Sequence, residues 1–247
     1  MKYKILLFSL LLTIYSHTQE GFAVSVGGVY SHLQFKVFEE YVNSYNLINQ
    51  NNSNFEELKY NPTGFGISSN FQYRIGKMYS AINISKSKNI ESIAKFENGS
   101  RSFVFKNNTF DVIVGGKIKF FTPYITMSIN SLNIESFFKY KDGTISYGSE
   151  YGISGIYSSF KMFMGIGVRF EKRFNKFGVS LDGCYPINAK KYLGDTFNKQ
   201  TNSTNAPYFP QNHINYGSME VDQMMPQTYR NIRFGLSLIY YLNQKSE

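Results

Sequence analysis

The stretch Thr228–Leu242 reads T-Y-R-N-I-R-F-G-L-S-L-I-Y-Y-L. Its even positions, Ile232, Phe234, Leu236, Leu238, Tyr240 and Leu242, are apolar, while Asn231, Arg233, Gly235 and Ser237 between them are polar or very small. Period-2 alternation held this long exceeds the usual strand of ~5–6 residues and suits one that crosses a bilayer at a tilt. The stretch ends in aromatic residues and reads as the strand that closes a transmembrane β-barrel.

The same alternation recurs along the rest of the chain. The clearest case places Phe65, Ile67, Phe71, Tyr73 and Ile75 on one face against Gly66, Ser68, Asn70, Gln72 and Arg74. A turn at Gly76-Lys77 leads to a third strand with Met78, Ile82 and Ile84, which extends towards Phe96, and Asn98-Gly99 is a strong hairpin signal. A fourth strand passes Phe103 and Phe105 and continues through Phe110, Val112 and Val114 against Asp111, Gly115, Lys117 and Lys119. Further strands start near Ile125, Phe160 and Phe177. In the first strand, from Phe22 to about Val37, the apolar parity changes after Gly27-Gly28, which predicts a bulge there. The count is eight. Connections alternate long and short: short turns near 76, 122 and 173, long excursions at 38–61, 86–108, 139–158 and 188–227. Such a rhythm predicts an all-β, antiparallel up-and-down barrel with short periplasmic turns and long outer loops.

Composition agrees. Charged residues make up 17% of the 247, and mean hydropathy is −0.30. No apolar run past residue 15 has the ~20 residues of a spanning helix. Lys2 and Lys4 followed by the apolar run Ile5–Tyr15 read as a signal peptide, residues 1–18, with cleavage before Gln19 and residues 19–247 as the barrel domain. Formal charge is +9, falling to +7 without Lys2 and Lys4, and no basic run is concentrated enough to suggest nucleic acid. The single cysteine, Cys184, has no partner for an internal disulfide.

Alternation alone does not say which face meets lipid. A lipocalin-like carrier would turn the apolar face inward. The opposite face here is Gly, Ser, Asn, Ala and Thr, which suits the crowded interior of an eight-stranded barrel better than open water. Aromatics recur at strand ends (Phe22, Phe65, Tyr73, Phe110, Phe120, Phe160, Phe170, Phe177, Tyr185 and Tyr240), as in two interfacial girdles. The whole pattern resembles the small eight-stranded outer-membrane β-barrel proteins of the OmpX and OmpA-transmembrane-domain type, with an Asn-, Lys-, Phe- and Tyr-rich composition similar to Bacteroidetes barrels. That resemblance implies the bacterial outer membrane as location, outer-membrane lipid as surroundings, and recognition of the last strand by the barrel-assembly machinery. The terminal aromatic is then Tyr240 or Tyr241, with Asn243–Glu247 beyond it.

Asp182 and Arg233 face the lumen on neighbouring strands and are candidates for a buried ion pair. Arg74, Lys117, Lys119 and Arg169 fall near the periplasmic rim and could hold anions or lipid phosphate. Past the leader only His32 and His213 remain, with no Ser-containing elbow and no metal-ligand cluster, so neither an enzyme nor a cofactor is expected. The expected role is structural or surface interaction: a lumen filled by side chains, and Tyr- and Asn-rich loops offered to an extracellular ligand or partner. The alternatives are a narrow channel for small or apolar solutes, a lipid-modifying enzyme, and the soluble carrier.

Overall fold

In a computed structural model, residues 21–52, 54–118, 120–147, 155–187, 198–199 and 229–242 are described. The leader, Lys119, His213 and nearly all of 188–227 lie outside them. The elements are β1 (Gly21–Gln34), α1 (Lys36–Asn49), β2 (Thr63–Ile75), β3 (Met78–Asn89), β4 (Ser92–Phe96), β5 (Gly99–Gly116), β6 (Phe121–Tyr140), β7 (Ile145–Ser146), β8 (Gly155–Phe174), β9 (Phe177–Pro186), β10 (Asn198–Lys199) and β11 (Arg230–Tyr241). Eight of them form an antiparallel ring in the order β1-β2-β3-β5-β6-β8-β9-β11. Pairing of β11 with β1, from Ala23↔Tyr241 to Gln34↔Arg230, closes it. The short β4, β7 and β10 extend β5, β6 and β8 at the long-loop end. Closure satisfies every strand edge within the wall, the condition for crossing a bilayer.

The apolar face points outward. On β8 the outward row runs Phe160, Met162, Met164, Ile166, Val168 and Phe170. Ten residue steps at ~3.3 Å, inclined at ~40°, give a band ~25 Å tall, the thickness expected of a lipid-facing belt. Aromatics mark its edges. Phe120, Phe121 and Phe170 cluster at the short-turn end, as do Phe177 with Tyr240 and Phe22 with Tyr73. Tyr30 meets Phe65 and Phe234 at the other end. The fold is that of a small membrane-spanning barrel.

Beyond that belt the strands keep their phase while the chemistry of the two faces is exchanged. The bulge expected at Gly27-Gly28 is absent: pairing to β2 and β11 runs through both glycines without a break. Ser25 and Ser31 face inward, and so do Leu33 and Phe35, because the interior itself turns apolar at that level. Along β5, Thr109 and Asp111 point inward low down, and Phe103 and Phe105 point inward higher up. On β6 the inward Ser128 and Asn130 give way to Leu132 and Ile134, while outward Ile129 gives way to Ser131, Asn133 and Glu135. Water replaces lipid outside, so an apolar core forms inside.

Helix α1 supplies the rest of that core. Phe38, Tyr41, Val42 and Tyr45, spaced i, i+3, i+4, i+7, form one apolar stripe. Phe38 stacks edge-on against Phe103 and Phe105 at 5.1 and 4.8 Å, and Tyr41 against Phe103 at 5.6 Å. Asn46 ties the following loop to the helix through the backbone N–H and C=O of Leu58.

Three local expectations are corrected. β3 stops at Asn89 rather than running to Phe96, and β4 is a separate strand paired with β5. The hairpin turn there is Glu97-Asn98, since Phe96 pairs with Gly99. Glycine is required at 99 because a Cβ would lie 2.2 Å from the carbonyl oxygen of Lys139. The turn placed near 173 lies at Asn175-Lys176, so Glu171 and Arg173 belong to β8.

Candidate functional site

The lumen is the chemically richest region, and it is layered. Nearest the short turns sits Glu171, pointing inward from β8. Arg74 of β2 donates to it at 2.5 Å, Arg169 two residues earlier at 3.3 Å, and the Tyr241 hydroxyl at 2.6 Å. Arg169 also donates to the Tyr79 hydroxyl at 3.0 Å, and both guanidinium groups lie over the Tyr79 ring at 5.3 and 5.5 Å. Cation–π contact adds to the ion pairs in holding two like charges around one carboxylate.

Higher up, Arg233 of β11 grips Asp111 of β5 across the barrel with two bonds of 2.7 and 2.9 Å. Asn83 donates to the same carboxylate at 2.8 Å, as does the Ser128 hydroxyl. The Cys184 sulfur lies 3.6 Å from the guanidinium. Asp111 and Arg233 are both nearly inaccessible, so the fork-shaped geometry has to offset the cost of removing two charges from water.

The expected pair of Asp182 with Arg233 is therefore corrected. Strand pairing sets Arg233 opposite Cys184 and Asp182 opposite Gly235, two residues along on the same face. A Cβ at 235 would meet both Asp182 carboxylate oxygens at 2.9 Å, so the glycine leaves the room this side chain occupies. Asp182 sits within the fields of both Arg169 and Arg233 without bonding either. At the level of the belt, Arg74, Arg169 and Arg233 thus share the lumen with Glu171, Asp111 and Asp182. Arg74 and Arg169, expected at a solvated rim, are buried inside it and held by Glu171. Lys117 is half-buried at the β5–β6 connection. Glu171, Asp111, Tyr79 and Tyr241 were missed as site residues, although inward parity on their strands was enough to mark both acids.

Above this network Lys161 faces inward, 5.5 Å from the Tyr229 ring, and the aromatic core under α1 follows. Between the ion pairs remains a cavity of about 30 Å³ lined by Asn70, Asp111, Tyr124, Asp182 and Arg233 among others, room for a water or two.

No protein-family model matches the chain, and no curated protein does. Among solved structures it is similar to Ail, the attachment invasion locus protein of Yersinia pestis, in complex with the heparin analogue sucrose octasulfate. The TM-score is 0.48 at 11% identity, over 90% of this chain and 99% of that one. It is also similar to Neisserial surface protein A, with a TM-score of 0.43 and 11% identity over 92% and 100% of the two chains.

Proposed function

We propose that this chain is a bacterial outer-membrane barrel that does not conduct and does not catalyse, and that presents a folded outer surface to an extracellular ligand or partner. Its leader directs export, the barrel-assembly machinery inserts it, and outer-membrane lipid surrounds its belt. The observation that carries the reading is the double closure of the lumen. Salt bridges cross it at two levels, and fifteen buried apolar residues, with α1 among their sources, fill it above. A channel would need a continuous wet path, and ~30 Å³ between ion pairs is far short of one. The β5–β6 hairpin stands well beyond the belt, with α1, β4 and the following loop packed on it, and offers a rigid surface rather than a pore mouth.

The test joins two measurements on refolded residues 19–247. A heat-dependent shift in gel mobility reports a closed membrane barrel. Recording in planar bilayers then shows a silent membrane; discrete conductance steps from the folded band overturn the non-conducting reading in favour of a narrow channel. Unchanged lipid composition in cells that express the protein accords with a non-enzymatic role, and altered acylation contradicts it.

A further inference from the structure

Just above the belt, the outer face of β3 and β5 carries an arrangement that strand pairing alone makes unfavourable. Lys88 and Lys106 are direct cross-strand partners, both pointing outward, and Lys86 stands two residues below Lys88 on the same face. Like charges placed opposite each other across an antiparallel pair repel. Of the three, Lys106 alone forms an ion pair among the described residues, with Glu135 at 2.6 Å, and Lys88 lies in the field of the same carboxylate. Among the described residues no acceptor bonds Lys86 or Lys88, and both are exposed. Three cations and one carboxylate leave an excess of positive charge over a few residues.

Their neighbours are apolar. Phe65 of β2 pairs with Lys88 and Ile67 with Lys86, and these two are 58% and 68% exposed. Below the lysines lie Ile84 and Phe110, themselves a cross-strand pair. Phe65 continues sideways into Tyr30 and Phe234. A cationic seat directly above a greasy wall, at the upper edge of the belt, is complementary to an amphiphile whose anionic head sits at the water boundary and whose chains run down the wall.

We propose that Lys86, Lys88 and Lys106 seat the phosphate of a phosphorylated lipid in the leaflet facing the long loops, with its chains against Phe65, Ile67 and Ile84. Glu135 positions Lys106 from the far side and limits the seat to one anionic head. This rests on the membrane reading above, and the experiment separates the two.

The full refolded chain is first placed in phosphatidylcholine vesicles, where protection of the belt from protease reports insertion; failure here refutes the membrane reading itself. In detergent, native mass spectrometry then follows titration with dioleoyl phosphatidic acid and, separately, with inorganic phosphate. The expected result is one tightly held phosphatidic acid, weakened roughly a hundredfold in K86Q/K88Q/K106Q, at about fivefold per surface lysine. K172Q/K176Q, which removes charge at the short-turn end, binds as the parent does. Inorganic phosphate at millimolar concentration does not displace the lipid. Equal loss in both variants, or undiminished binding in the triple variant, overturns the seat. Displacement by inorganic phosphate overturns the lipid as its source and leaves a free-anion site. The gel shift on heating confirms that each variant is folded.

Discussion

Cutting one side of the Asp111–Arg233 pair should cost much more than removing the pair. In D111A the Arg233 guanidinium stays in a closed lumen and loses both of its carboxylate bonds, keeping the Cys184 sulfur at 3.6 Å and the field of the unbonded Asp182. An orphaned buried charge costs about 3–5 kcal/mol, so D111A should lose at least ~4 kcal/mol once the bonds from Asn83 and Ser128, worth ~1 kcal/mol each, are counted. R233M is milder, because those two groups still solvate Asp111, and a loss of ~2–3 kcal/mol is expected. The double variant D111A/R233M removes both charges. Its loss should be smaller than the sum of the two single losses by a coupling of about 2 kcal/mol. Urea unfolding in lipid vesicles measures this. The chain has no tryptophan, so far-UV circular dichroism and the folded band on unboiled gels are the suitable signals. A coupling below ~0.5 kcal/mol would mean that water enters and screens the pair, and the sealed-lumen argument would fail with it.

Three further outcomes follow from other parts of the molecule. Phe38→Ala, at a fully buried position, should destabilise the outer core by about 3–5 kcal/mol and speed amide exchange in α1, while the heat-dependent gel shift persists; unchanged exchange would show that α1 is not held by this contact. Gly235→Ala should push the Asp182 carboxylate aside at a cost of ~1–3 kcal/mol, read in the same urea assay, and a neutral result would contradict the 2.9 Å approach. The ammonium of Lys106, hydrogen-bonded to Glu135, holds that carboxyl below the usual carboxylate range, against a smaller opposing effect of burial, with Tyr147 helping. The unfolded chain therefore binds this proton first as pH falls. The pair's contribution is complete above the ordinary Glu value, ~4.3, and disappears as pH drops through the depressed folded value. The Lys106 side of the pair is open to water, and solvent screening keeps the effect at ~1 kcal/mol or less. E135Q should flatten that part of the stability–pH curve, and an unchanged curve would remove the pair from the account.

The belt was legible because one rule governs it. Lipid outside and a narrow interior force apolar and small or polar residues to alternate, and Ile232–Leu238 follows that rule before Ile239 and Tyr241 place larger side chains inside. The outer half was misread for the same reason. Where Leu33 and Phe35 take over from Val24 and Val26, a periodicity argument sees a slipped register. The chain is in fact responding to a change of solvent, and nothing local in Gly27-Gly28 announces which. Strand pairing distances were a second limit. Asp182 and Arg233 lie on adjacent strands with the right parity, yet a two-residue offset separates them, and Arg233 reaches across the lumen to a strand more than a hundred residues away in sequence. Inward parity identifies which charges must find partners; only closure of the ring decides which ones meet.

The aromatic core under α1 also bears on how the protein reaches its final state. Its residues come from β1, α1, β4, β5 and β6, and from Tyr229 at the threshold of the last strand. It can therefore be completed only once segments from Leu33 to Tyr229 have come together beyond the belt. Once formed, it is wider than a single extended strand, and it caps β1, β5 and β6 at the long-loop end. Drawing any of those strands back through the belt would require unfolding the outer core first.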